Sequence, residues 1–126
     1  MKQILIVEDE KNLNEAYQYI LNQHGYGVKS ASDGKQALEI LQEGDPDLIL
    51  LDLHMPVMGG LEFLRQYNKP QEHPDVKIVI FSNLDSKDDI EEAYKLGADK
   101  YMLKAWASPR ELSKLVKDIF SEDERK

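Results

Sequence analysis

The chain has 126 residues, the usual length of one domain and enough to bury one sizeable core. Its 16 Lys and Arg against 24 Asp and Glu give a formal net charge of −8, so the surface repels nucleic-acid phosphates and anionic lipids. We therefore expect neither direct nucleic-acid binding nor membrane binding. The absence of cysteine excludes disulfides, thiolate nucleophiles and thiolate-bound zinc, and is consistent with a cytoplasmic location.

Short apolar runs indicate five strands. Residues 4–7, 48–51 and 78–81 are continuous apolar runs, too short for helices and without alternation, as in strands buried on both faces of a parallel sheet. Two weaker candidates are residues 26–31 and 100–103, each of which follows a glycine-containing segment.

Amphipathic segments between the strands indicate five helices. The first is marked by an apolar stripe at helical spacing, formed by Leu13, Ala16, Tyr17, Ile20 and Leu21. The others are predicted over residues 34–43 behind an Asp33 cap, 60–67, 88–96 before Gly97, and from Pro109 onward behind a Ser108 cap. Residues 121–126 form a charged run that we expect to be frayed, which leaves a single domain over residues 1–126 with its core at about 2–120.

The alternation of strands and helices predicts a doubly wound α/β domain. Right-handed crossovers between parallel strands would place helices on both faces of one sheet. Ligands of such sheets bind beyond the carboxyl ends of the strands, so the residues directly after each apolar run are candidates for a site.

Polar side chains follow four of the five predicted strands. Glu8 and Asp9 follow the first, Asp52 the third, Ser82 the fourth and Lys104 the fifth. Each acid taken alone more often caps a helix or faces water. If the four strands are neighbours, however, three carboxylates, a hydroxyl and an ammonium converge at one edge, and packing alone does not require that arrangement.

Three converging carboxylates favour a hard divalent cation, with Mg²⁺ as the first choice. With only three histidines, at 24, 54 and 73, an imidazole-rich zinc site is a poor alternative. Carboxylates, Mg²⁺, a lysine and a hydroxyl together are the equipment for phosphoryl transfer, and Asp52 is the best placed nucleophile for forming an aspartyl phosphate.

These residues resemble the receiver domain of two-component response regulators over about residues 2–120. The resemblance is carried by ILIVED at 4–9, LLDLHMP at 50–56 with two glycines at 59–60, FS at 81–82, GAD at 97–99 and YMLK at 101–104. It implies a flavodoxin-like (βα)5 three-layer sandwich whose five parallel strands lie in the order 2-1-3-4-5.

The resemblance also implies the chemistry of the site. Asp52 would accept a phosphoryl group from a phosphohistidine, and Lys104 would pair with the resulting acyl phosphate. Glu8, Asp9, Asp52 and the backbone carbonyl of His54 would bind Mg²⁺, with Glu8 acting through water. The protein would catalyse only its own phosphorylation and dephosphorylation, so it would not be an enzyme with a separate substrate.

The resemblance further implies a switch and its partners. Ser82 would hydrogen-bond a phosphoryl oxygen, and Tyr101 would rotate inward into the vacated space. The face of the fourth helix, fifth strand and fifth helix, with Tyr94, Tyr101 and Trp106, would contact a downstream protein target. A sensor histidine kinase or phosphotransfer protein would be the donor, an output domain outside this chain is an alternative to a separate target, and a phosphorylation-dependent dimer is compatible with the family.

Two positions depart from the family pattern, and a third bears on the lifetime of the phosphorylated state. Ala105 replaces the usual proline after Lys104, which predicts either a trans peptide bond or a strained loop there, because a cis bond before alanine costs about 3 to 4 kcal/mol. Asn83 replaces a small residue and would restrict access to the phosphorylation pocket. Leu84 is apolar and cannot orient a water molecule for hydrolysis of the acyl phosphate, so we expect a long-lived phosphorylated state.

Two other functions stay open at this point. Asn83 and Ala105 suggest a pseudo-receiver, an interaction domain that takes no phosphate. A small Mg²⁺-dependent phosphatase is less favoured because His54, and not a second acid, lies two residues after Asp52.

Overall fold

The computed structural model describes residues 1–82 and 87–124, and for Ser82, Asp123 and Glu124 it describes the backbone alone. Its regular elements follow one another as strand and helix. They are β1 (Gln3–Val7), α1 (Lys11–Gln23), β2 (Gly27–Ala31), α2 (Gly34–Leu41), β3 (Leu48–Asp52), α3 (Gly60–Tyr67), β4 (Lys77–Ser82), α4 (Lys87–Lys95), β5 (Lys100–Leu103) and α5 (Pro109–Glu124).

The five strands form one parallel sheet in the order β2-β1-β3-β4-β5. The three continuous apolar runs are the inner strands, and their side chains are buried on both faces, as predicted. The two weaker candidates are the edge strands, where burial is partial. The predicted fold class and strand order are therefore confirmed.

Helices cover both faces of the sheet, which gives three layers. Alternate residues of the inner strands, such as Leu5 and Ile49, pack with side chains of α2, α3 and α4 in one buried cluster. The residues between them, such as Ile4 and Leu50, pack with α1 and α5 in the other. Within the described ranges, no helix combines the length and the apolar content needed to cross a membrane.

Most helix boundaries lie within two residues of the predictions. Asp33 caps α2 by accepting the Gln36 N–H at 2.9 Å, and Ser108 accepts the Glu111 N–H at 3.2 Å at the start of α5. α2 ends at Leu41, two residues early, because the chain tightens into i to i−3 hydrogen bonds before Gly44.

The charged run is helical as far as Glu124, where α5 ends, and the fraying of this end stays a prediction. Ile119 and Phe120 are buried against the second cluster, and Lys100 pairs with Glu122 at 3.6 Å, so the last turns are held by contacts. Two short elements were also not predicted, a four-residue helix over Lys69–Glu72 and a 3-10 helix over Lys104–Trp106.

Candidate functional site

The carboxyl edge of the sheet brings together the side chains that the strand ends predict. Glu8 and Asp9 directly follow β1, Asp52 is the last residue of the central strand β3, and Lys104 directly follows β5. Ser82 ends β4 and pairs with Leu103, so its backbone lies at the same edge, whereas its side chain is outside the described part.

Lys104 bridges two buried carboxylates across the strand ends. Its Nζ lies 3.0 Å from Oδ2 of Asp52, 2.9 Å from Oε1 of Glu8 and 3.0 Å from Oε2 of Glu8. The exposed fractions of the three side chains are only 9%, 3% and 2% for Lys104, Asp52 and Glu8. One ammonium therefore partly neutralises two carboxylates that water barely reaches.

Burial and pairing shift the pKa values of Glu8 and Lys104. Burial is the largest influence on Glu8 and raises the pKa of its carboxyl to about 7, against the opposing hydrogen bonds from Glu10 N–H and Lys104. Burial alone would lower the pKa of Lys104, but its hydrogen bonds to Glu8 and Asp52 raise that pKa above its ordinary value. Lys104 is thus a permanent cation in this site.

Three carboxylates at this edge fit a divalent cation. Glu8, Asp9 and Asp52 each offer an oxygen within 4.8 Å of the others, and Asp9 is exposed to solvent while the other two are buried. With all three ionised, Lys104 offsets only one of three negative charges. The surplus of negative charge and the oxygen-only ligands are the chemistry that Mg²⁺ prefers.

The loop after Asp52 is shaped by close backbone contacts. The His54 N–H donates to Oδ1 of Asp52 at 3.1 Å, and the imidazole of His54 is exposed, so the backbone and not the ring faces the acid. A Cβ on Gly60 would lie 2.8 Å from both the Asp52 carbonyl oxygen and the Leu53 Cα. Only glycine therefore lets α3 begin this close to the phosphoacceptor candidate.

The predicted switch and output residues differ in exposure. The Tyr101 ring packs against the first core cluster and its hydroxyl is buried. Trp106 is 71% exposed and Tyr94 is 45% exposed, so both side chains lie on the surface. Asn83 and Leu84 lie outside the described residues. The bond between Lys104 and Ala105 is trans, the first of the two predicted outcomes.

Sequence reasoning did not find two residues of α1 that support the site. The side-chain amide of Asn14 donates to the backbone carbonyls of Glu8 at 2.9 Å and of Ala31 at 3.2 Å. The Tyr17 hydroxyl donates to the Ala107 carbonyl at 2.6 Å. A polar residue and a tyrosine on the buried stripe of α1 were the available signal, but their partners are distant in the sequence.

Comparison with known proteins matches the chain to a protein family and to a curated relative. The family model described as "Response regulator receiver domain" matches residues 4–117. The chain is 38% identical over 123 residues to the alkaline phosphatase synthesis transcriptional regulatory protein PhoP of Bacillus subtilis. That match covers 98% of this chain and 50% of PhoP, so the chain spans about half the length of this curated relative.

Solved structures with the same fold include two informative neighbours. A CheY-like receiver domain protein from Methanospirillum hungatei aligns with a TM-score of 0.88 at 29% identity, covering 99% of this chain and 98% of that one. The response regulator TrrA from Thermotoga maritima, solved in complex with Mg²⁺ and BeF, aligns with a TM-score of 0.77 at 32% identity. This second match covers 94% of this chain and 98% of TrrA.

Proposed function

Because this chain belongs to the response regulator receiver domain family, a family of signalling domains, we propose that it accepts a phosphoryl group on Asp52. The donor is a histidine kinase or a phosphotransfer protein, and the chain turns over no separate substrate. The observation that supports the proposal is the buried Asp52 carboxylate held 3.0 Å from Lys104 beside two further acids.

In the proposed reaction, a carboxylate oxygen of Asp52 forms a bond to phosphorus as the P–N bond of the donor phosphohistidine breaks. The electron pair of that bond returns to the imidazole. Lys104, already between Asp52 and Glu8, pairs with the phosphoryl oxygens and offsets the charge that they carry. The His54 N–H, which donates to Asp52, orients the carboxylate.

Glu8, Asp9, Asp52 and the backbone carbonyl of His54 are the groups that would hold Mg²⁺, with Glu8 acting through water. When bound, the ion supplies positive charge to the transferring phosphoryl oxygens. The exposed position of Asp9 leaves one side of the acid cluster open to solvent, from which a metal can enter.

Signal output would follow from the phosphorylation of Asp52. Ser82 would hydrogen-bond a phosphoryl oxygen and Tyr101 would change its position, which biases the α4-β5-α5 face between two arrangements. Trp106 and Tyr94 on that face are exposed and available to a protein target in the cytoplasm or to an output domain beyond this chain. A dimer formed on phosphorylation would depend on the same change in the α4-β5-α5 face.

Intact mass spectrometry tests the proposed function. The wild type and Asp52→Asn are incubated with acetyl phosphate, with and without Mg²⁺, and folding of both is verified by circular dichroism. We expect the wild type to gain one phosphoryl group only with Mg²⁺ and the variant to gain none, because the amide is not a nucleophile. Equal gain by both proteins contradicts the assignment of Asp52.

No gain by a folded wild type would favour the pseudo-receiver. A histidine-phosphorylated phosphotransfer protein is then supplied as donor, which distinguishes selectivity for the donor from a lost function. Transfer from this larger donor restores the proposal, and its absence removes it.

Mg²⁺ affinity is expected to rise with pH. The pKa of Glu8 is raised to about 7, so below that pH a proton on Glu8 competes with the cation. The sign for stability is opposite: a raised pKa favours the folded state at low pH, and this contribution is lost as the pH rises through about 7. Calorimetric titration with Mg²⁺ at pH 6 and pH 8 measures the first effect, and equal affinities would contradict it.

A further inference from the structure

The turn that carries Lys104 is tied to α1 by one buried side chain. Tyr17 is fully buried, and its hydroxyl donates to the carbonyl of Ala107 at 2.6 Å. The N–H of Ala107 in turn donates to the carbonyl of Lys104 at 3.1 Å, which closes the 3-10 turn over Lys104–Trp106. Tyr17, Ala107 and Lys104 are thus connected by two consecutive hydrogen bonds.

This connection matters because the middle of the turn is exposed. Ala105 has no ring to fix its φ angle, unlike a proline, and both Ala105 and Trp106 are exposed. Ala107 is buried, so its carbonyl depends on a protein donor such as the Tyr17 hydroxyl. The conformation of the turn therefore depends on the anchor at its carboxyl end.

The Tyr17 ring is packed in the core. Its ring lies 6.1 Å from the Phe81 ring in the core cluster of α1 and α5. Phe81 pairs with Asp52 in the sheet, and the Phe81 carbonyl accepts the Leu53 N–H at 3.1 Å. Burial, with a smaller effect from the charge of Glu8, raises the pKa of Tyr17 to about 12, so the hydroxyl remains a donor at neutral pH.

We infer that Tyr17 is a positioning residue for Lys104, which it holds against Asp52 and Glu8 through the Ala107 carbonyl. Tyr17 touches none of the reacting atoms and acts only by fixing the turn. The inference rests on the proposed function for its effect on phosphorylation, but the placement of the Lys104 amine can be measured independently of that function.

The test compares Tyr17→Phe with Tyr67→Phe. Tyr67 is also a buried tyrosine, and its hydroxyl donates to Asp45 at 2.9 Å ahead of β3, at the opposite edge of the sheet. Each variant keeps its ring and loses one hydrogen bond, which is buried for Tyr17 and partly buried for Tyr67, so a general loss of stability affects both. Thermal melts verify that both variants are folded at the assay temperature.

Two readouts are taken on the folded proteins. Trace acetylation with acetic anhydride, resolved by peptide mass spectrometry, reports the accessibility of the Lys104 amine, and acetyl phosphate with Mg²⁺ reports the rate of phosphorylation. In Tyr17→Phe we expect Lys104 to be acetylated about fivefold faster and phosphorylation to be about fivefold slower than in the wild type, because small displacements of a catalytic group are costly. Tyr67→Phe should match the wild type in both.

Unchanged acetylation of Lys104 in Tyr17→Phe would overturn the inference, whatever happens to phosphorylation. Faster acetylation with an unchanged phosphorylation rate would also overturn it, since the placement of Lys104 would then not matter to the reaction. If the wild type takes no phosphate from any donor, the proposed function fails, and the acetylation readout alone still decides whether Tyr17 places Lys104.

Discussion

Lys104→Met is expected to lower the free energy of unfolding in the absence of metal by about 3 kcal/mol, because it leaves two buried carboxylates without their cation. Glu8 and Asp52 both lie within about 3.0 Å of the Lys104 amine and are almost inaccessible to water. The loss should be smaller at pH 5 than at pH 8, since Glu8, whose pKa is raised to about 7, is protonated at the lower pH. Urea denaturation of the wild type and the variant at the two pH values measures this loss of unfolding free energy.

The same substitution should slow phosphorylation by acetyl phosphate about a hundredfold, since a preorganised charge next to the transferring group is removed. Lys29→Met is the matched control, because Lys29 pairs with Glu43 at 3.1 Å on the surface, where both side chains are mostly exposed. Lys29→Met should lower the free energy of unfolding by less than about 1 kcal/mol and leave the phosphorylation rate unchanged. Equal losses of stability in the two variants would contradict the role of Lys104.

Gly60→Ala is expected to destabilise the fold by about 2 kcal/mol and to slow phosphorylation about tenfold, because its Cβ cannot be accommodated beside Asp52. The contacts would be 2.8 Å to the Asp52 carbonyl oxygen and 2.8 Å to the Leu53 Cα, and both are backbone atoms that move only with the end of β3. Thermal denaturation and the rate of phosphoryl gain by intact mass measure the two effects.

Gly59→Ala is the neighbouring control. Its Cβ would lie 3.2 Å from the Leu53 carbonyl oxygen, a contact that a shift of a few tenths of an ångström relieves. We expect a smaller loss of stability and a nearly normal phosphorylation rate. If Gly59→Ala is the more damaging of the two, the explanation from the close approach of Gly60 to Asp52 is wrong.

The fold could be predicted from the sequence because strands that are buried on both faces consist of unbroken runs of apolar residues. Unbroken apolar runs such as 48–51 occur in soluble proteins chiefly where helices cover both sides of a parallel strand. The edge strands are partly polar, and their predictions were correspondingly weaker. The helix over Lys69–Glu72 was not predictable, because its lysine is held by Asp99 at 3.2 Å, a contact between residues far apart in the chain.

The candidate site could be predicted as a set of strand ends but not as a set of contacts. Glu8, Asp9, Asp52 and Lys104 lie at one edge because parallel strands all end there. The hydrogen bond from Tyr17 to Ala107 joins residues 90 positions apart, and no local pattern specifies it. The helical conformation of residues 121–124 likewise depends on the burial of Phe120, which charge composition does not report.

Reduction of the phosphorylated protein with borohydride tests the central claim most directly, because hydride converts an aspartyl phosphate to homoserine and leaves free carboxylates intact. After incubation with acetyl phosphate and Mg²⁺, reduction and peptide sequencing by mass spectrometry, we predict homoserine at position 52 and unmodified Glu8 and Asp9. Homoserine at Asp9, or a product of reduction at Glu8, with an intact Asp52 would contradict the account of the site.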